Sequence, residues 1–159
     1  MTLMESLIAG TAVACAAMGG VFFAFSSFVM RALARMPPAQ GIAAMQSINV
    51  VAVTPVFMTA LFGTAVACLA VAVSAVTEWR GVTSAYLLAG GLTYLIGTIA
   101  VTIVFNVPLN NALAAANPAS GEAVLVWTKY ARTWTRWNHV RTVSGLVAAT
   151  LLLLTAKAP

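Results

Sequence analysis

His139 and Arg141 stand two residues apart in a segment, residues 133–142, that also holds Trp134, Arg136, Trp137 and Asn138. His139 is the only histidine in the chain. Imidazole exchanges a proton near neutral pH, and a guanidinium is a permanent cation. Such a pair can take a proton from a bound molecule and hold the negative charge left behind. At about 100° per helical residue, Arg141, Asn138, Thr142, Thr135 and His139 share one broad face. The segment runs without a break into the apolar stretch 143–154. A polar face that enters an apolar span is costly unless it lines a cavity or finds partners.

Composition says what must position these residues. Of 159 residues, 62% are hydrophobic and 7% charged, where a soluble domain has about 25% charged. The chain therefore reads as an all-α integral membrane protein, a single transmembrane domain over residues 1–159. Helices are the form that satisfies the backbone within apolar spans of this kind. Spans are expected at about 7–30, 47–76, 82–105 and 140–155, giving a four-helix bundle. The net charge of +5 points to the lipid bilayer and to orientation in it, with no basic patch for nucleic acid. Cys15 and Cys68 both lie in apolar runs and read as small hydrophobes, not as a disulfide or metal pair. The first apolar run outlasts a signal peptide, so it reads as a retained helix despite Ala14-Cys15-Ala16-Ala17.

Ala12, Ala16, Gly20 and Ala24 recur every four residues, a smooth stripe for another helix of this chain or of a second copy in a homo-oligomer. Pro55 predicts a bend in the second span. Tyr94, Thr98, Thr102, Asn106 and Asn110 form a polar stripe on the third. Ser120 reads as an N-cap. Trp127, Tyr130, Trp134 and Trp137 alternate with Lys129, Arg132 and Arg136, which predicts an amphipathic interfacial helix before the fourth span. Arg31, Arg35, Lys129, Arg132, Arg136 and Arg141 flank the first and third connections, against Arg80 and Lys157 opposite. The positive-inside rule then puts both termini on the non-cytoplasmic side.

By depth, Gln46, Asn49, Asn106, Asn110, Asn138, His139 and Arg141 gather at one end of the bundle, with Phe25 and Phe28 closing the same end of the first helix. One reading is a hydrogen-bond cluster that only fixes packing, at about 0.6 kcal/mol per bond. The other is a pocket for a hydrophobic small molecule, which the cation-capable pair favours. One histidine with no nearby acid and no thiolate pair cannot supply a metal's ligands, and a haem on His139 alone has no second signal. His139 beside Trp137 is also compatible with a side chain that merely reaches the interface.

Four stretches carry a resemblance: residues 22–26, 44–49, 105–110 and 134–142. With Phe22-Phe23-Ala24-Phe25-Ser26, Phe105-Asn106-Val107-Pro108-Leu109-Asn110 and Trp137-Asn138-His139-Val140-Arg141-Thr142, the chain resembles the anthrone oxygenase-like membrane proteins. The resemblance implies a small four-helix protein of the bacterial inner membrane. Relatives oxidise anthrones to anthraquinones with molecular oxygen and no cofactor. On that footing His139 is the expected base and Arg141 holds the oxyanion. Gln46, Asn49, Asn106, Asn110 and Asn138 orient the ring oxygens, and Phe25, Phe28 and Trp137 wall the pocket. The competing expectation is a non-catalytic protein that binds a hydrophobic ligand or partner helix through the same cluster.

Overall fold

A computed structural model describes residues 2–157. Five helices carry the fold: α1 Leu3–Ala34, α2 Pro38–Val51, α3 Pro55–Thr77, α4 Val82–Ala114 and α5 Ala123–Leu154. No strand occurs among the described residues. α1, α3 and α4 are each long and apolar enough to cross a membrane. This is an all-helical membrane protein.

Among the described residues the helix count is five, not four, because Pro55 ends one helix and starts another. Proline disfavours helical torsions in the residue before it, and Thr54 is extended (φ −97°, ψ 152°). Its hydroxyl then accepts the Phe57 N–H at 3.3 Å, capping α3 with Pro55 in the first turn, where a missing N–H costs nothing. The expected bend is a break.

The predicted interfacial helix is not a separate element either. α5 runs unbroken for 32 residues, about 48 Å. Trp127, Tyr130 and Trp134 turn inward onto Met30, Leu33, Ile42, Met45 and Leu113, and the basic face carrying Lys129, Arg132 and Arg136 is exposed. Burying three large rings outweighs leaving them at an interface. Ser120 does not cap α5, which begins without a side-chain cap.

α1 packs along α5, α5 along α4, and α4 along α3, with the tight turn at Gly81 (φ 62°) making α3 and α4 antiparallel neighbours. The small-residue contact on α1 is offset from the expected stripe. Ala12, Cys15 and Gly19 are buried, whereas Ala16 and Gly20 are exposed. A Cβ on Gly145 would lie 2.9 Å from Gly19 Cα, so the α1–α5 crossing requires glycine there. A repeat of four drifts off a 3.6-residue period, and the buried set follows the period. Cys15 and Cys68 are free and buried, with their sulfurs 3.5 Å apart.

Two apolar cores result. One, around Cys15, Phe22, Cys68, Tyr94 and Leu152, fills the part of the bundle where α1, α3, α4 and α5 are all apolar. The other, around Ile42, Met45, Leu113, Trp127 and Trp134, is roofed by α2.

Candidate functional site

The polar residues lie at the seam between the two cores, where the helices widen. α1 is a π-helix over Phe25–Val29, and α4 is π-helical over Leu95–Ala100 and Thr102–Asn106. Such turns, with i→i+5 bonds, recur at functional sites. On α4 they have a direct consequence. Residues four apart superimpose better on a wider turn, so the stripe stays against α5. Thr98 and Asn106 are buried, Asn106 Nδ2 donates to the Trp134 carbonyl at 3.3 Å, and Asn110 Oδ1 accepts the Tyr130 hydroxyl at 2.9 Å.

Arg141 is the centre of the seam, 6% exposed. Its Nη2 donates to Asn138 Oδ1 at 2.6 Å and its Nη1 to Thr102 Oγ1 at 3.4 Å. The guanidinium carbon lies 4.4 Å from the Phe22 ring centroid and 5.0 Å from that of Trp134. Two faces of π density replace part of the lost hydration. Asn138 is fully buried and fixed in turn, since its Nδ2 donates to the Phe22 carbonyl and to Ser26 Oγ, each at 2.7 Å. No carboxylate neutralises Arg141, and the one ion pair among the described residues is Arg80–Glu78 at the opposite end.

A cavity of ≈ 430 Å³ opens beside this cation. Phe22 and Phe25 of α1, Met45 and Asn49 of α2, Phe57 of α3, Asn110 of α4, and Trp134 and Arg141 of α5 line it. Val51, Ala52 and Thr54 at the α2–α3 break form its rim. Three lining residues keep a buried donor without a partner: Asn49 Nδ2, Trp134 Nε1 and Arg141 Nε. Buried donors are almost always paired, so three orphans on side chains that line one cavity stand out.

Of the residues expected from sequence, Phe25, Asn49, Asn110 and Arg141 come together here. Asn138 stands behind Arg141 and positions it. Asn106 is spent on the Trp134 carbonyl, and Gln46 donates to the Leu113 and Ala116 carbonyls (2.8 and 3.1 Å) that end α4. Trp137 stacks on Phe105, with centroids 3.6 Å apart, and Phe28 is 61% exposed, so neither ring walls the cavity. His139 is the main displacement. It is exposed and lines a different recess with Arg31, Arg132 and Arg136. Neighbours on a helix point about 100° apart, and with Asn138 turned inward His139 must turn out. Sequence alone does not mark Phe22, Phe57 and Trp134 as site residues. The run of aromatics on α1 and the spacing Trp127, Tyr130, Trp134 were the available signals. The face they occupied was not legible.

A family model described as anthrone oxygenase matches residues 56–151, more than half of the chain. The chain belongs to the anthrone oxygenase family. The match includes Phe57, Asn110, Trp134, Asn138 and Arg141, and stops short of the α1 and α2 residues that complete the cavity. No curated protein and no solved structure matches significantly. Family membership points to oxygenase-like chemistry.

Proposed function

We propose that this protein is a membrane-embedded, cofactor-independent oxygenase acting on a planar phenolic, anthrone-like or quinone-like molecule held beside Arg141. The observation that carries the reading is an unneutralised buried guanidinium, fixed by Asn138, at the wall of an aromatic cavity with three unpaired donors. An anthrone that loses a benzylic proton becomes a delocalised enolate whose charge rests on oxygen. Arg141, with Asn49 and Trp134, stabilises that oxygen. Fixed donors in a dry site are worth far more than donors in water.

The substrate itself supplies the electrons. The enolate passes one to molecular oxygen, and the resulting radical and superoxide combine into a benzylic peroxide anion, which takes up a proton to give the hydroperoxide. Loss of the second benzylic proton with cleavage of the O–O bond gives the ketone and water. Atoms balance, since CH2 and O2 become C=O and H2O. Among the lining side chains none is a base near neutrality, so Arg141 acts by stabilising the anion, and the proton passes to a base from outside the cavity. His139, expected as the base, lies outside this cavity.

A non-catalytic ligand-binding role is the second reading. It is favoured by the amide NH2 groups of Gln46, Asn106 and Asn138, each of which donates to a protein partner. Oxygen uptake separates the two. Arg141→Met should abolish uptake with an anthrone; it also costs the bond to Asn138, about 1.5–3 kcal/mol, so helical circular dichroism must show the variant still folded. Binding of the anthrone by wild type without oxygen uptake selects the second reading. For location we propose the bacterial inner membrane with both termini non-cytoplasmic, supported by five exposed basic residues, Arg31, Arg35, Lys129, Arg132 and Arg136, around the α1–α2 and α4–α5 connections.

A further inference from the structure

The recess that holds His139 has chemistry of its own. It measures ≈ 320 Å³ and lies between α1 and α5, with Arg31 on one side and Arg132, Arg136 and His139 on the other, above buried Ser26 and Met30. The α5 residues follow at spacings of four and three, which puts them on one helix face. All four side chains are exposed, and the one ion pair among the described residues, Arg80–Glu78, is elsewhere. The three acids of the chain do not reach it: Glu5 and Glu78 lie at the far end of the bundle, and Glu122 is ten residues before Arg132. Like charges four apart on a helix repel, so the cluster is relieved by an anion.

Its position selects which anion. Arg31 is the first basic residue after the apolar run of α1, and α5 turns apolar after Arg141. That is the level of the lipid headgroups. Phe28, three residues toward the membrane from Arg31, and Val143, four beyond His139, are exposed and apolar. We infer that this recess binds the phosphodiester headgroup of an anionic lipid, with the acyl chains along Phe28 and Val143. Guanidinium groups match phosphate oxygens in paired hydrogen bonds. A zwitterionic lipid carries its own cation into a recess that offers no acid to receive it. The inference does not depend on the reaction in the Arg141 cavity.

Native mass spectrometry of the full chain in detergent tests it, with short-chain phosphatidylglycerol, short-chain phosphatidylcholine and inorganic phosphate titrated separately. Wild type should retain one phosphatidylglycerol per chain in preference to phosphatidylcholine. The double variant Arg132→Gln/Arg136→Gln should bind it about thirtyfold more weakly, the loss expected for two basic contacts at headgroup level. Arg80→Gln, at the other end, should bind as wild type does. Arg31→Gln, on the opposite wall, should weaken binding about fivefold, and it decides the matter if the double variant does not fold. Equal retention by the variants and wild type overturns the inference, as does equal binding of the two lipids. Displacement of the lipid by inorganic phosphate at matching concentration replaces the lipid with a free phosphate as ligand.

Discussion

Asn138→Ala is the most informative single change. Asn138 makes three hydrogen bonds at full burial: two donations at 2.7 Å, to the Phe22 carbonyl and Ser26 Oγ, and one acceptance from Arg141 at 2.6 Å. Inside a membrane bundle each neutral bond is worth about 0.6 kcal/mol, so the two donations contribute about 1.2 kcal/mol. A hydrogen bond to a charged group is worth about 1.5–3 kcal/mol. The variant should therefore lose about 3–4 kcal/mol, which corresponds to a melting shift of roughly 6–16 °C for a chain of this size. Asn138→Asp separates stability from function. The carboxylate still accepts from Arg141 and should recover much of the melting temperature, but it neutralises the guanidinium and should abolish binding of an anionic phenol. Thermal unfolding in detergent, followed by helical circular dichroism, reads the first effect. Quenching of tryptophan fluorescence by a titrated anthrone, with Trp134 at the cavity wall, reads the second. If Asn138→Ala melts with wild type, the seam is not what holds α1 to α5. If Asn138→Asp binds the anthrone undiminished, the positive charge of Arg141 is not what the ligand sees.

Other expectations follow from the same geometry. Gly145→Ala, whose Cβ would meet the Gly19 backbone at 2.9 Å, should destabilise by about 1–3 kcal/mol, whereas Gly20→Ala, with nothing within 4 Å, should melt like wild type. His139→Ala should keep the full rate of oxygen uptake, and a loss comparable to that of Arg141→Met would return the base to His139. A cysteine at Trp79, exposed in the α3–α4 turn, should be labelled from outside intact cells and one at Ser120 only after permeabilisation; the reverse pattern inverts the topology.

Composition and local pattern carry a definite share of this protein. A chain with 62% hydrophobic and 7% charged residues must be helical and membrane-bound, because apolar spans leave the backbone no partner but itself. The family was legible in contiguous motifs, and the gathering of polar residues at one level followed from where each lies along its span. What remained open was direction around the helix. An ideal wheel made His139 and Arg141 neighbours on one broad face, yet that face is divided: Asn138 and Arg141 turn into the seam, and His139 turns out toward Arg31. The division depends on where α1 lies across α5, which the Gly19–Gly145 approach sets, and on π turns that re-register α4. Pro55 likewise announced an interruption, and only Thr54, extended and capping, made it a break that opens a cavity rim. Rotational register between helices is a long-range packing outcome. No window of neighbouring residues contains the partner surface that selects it.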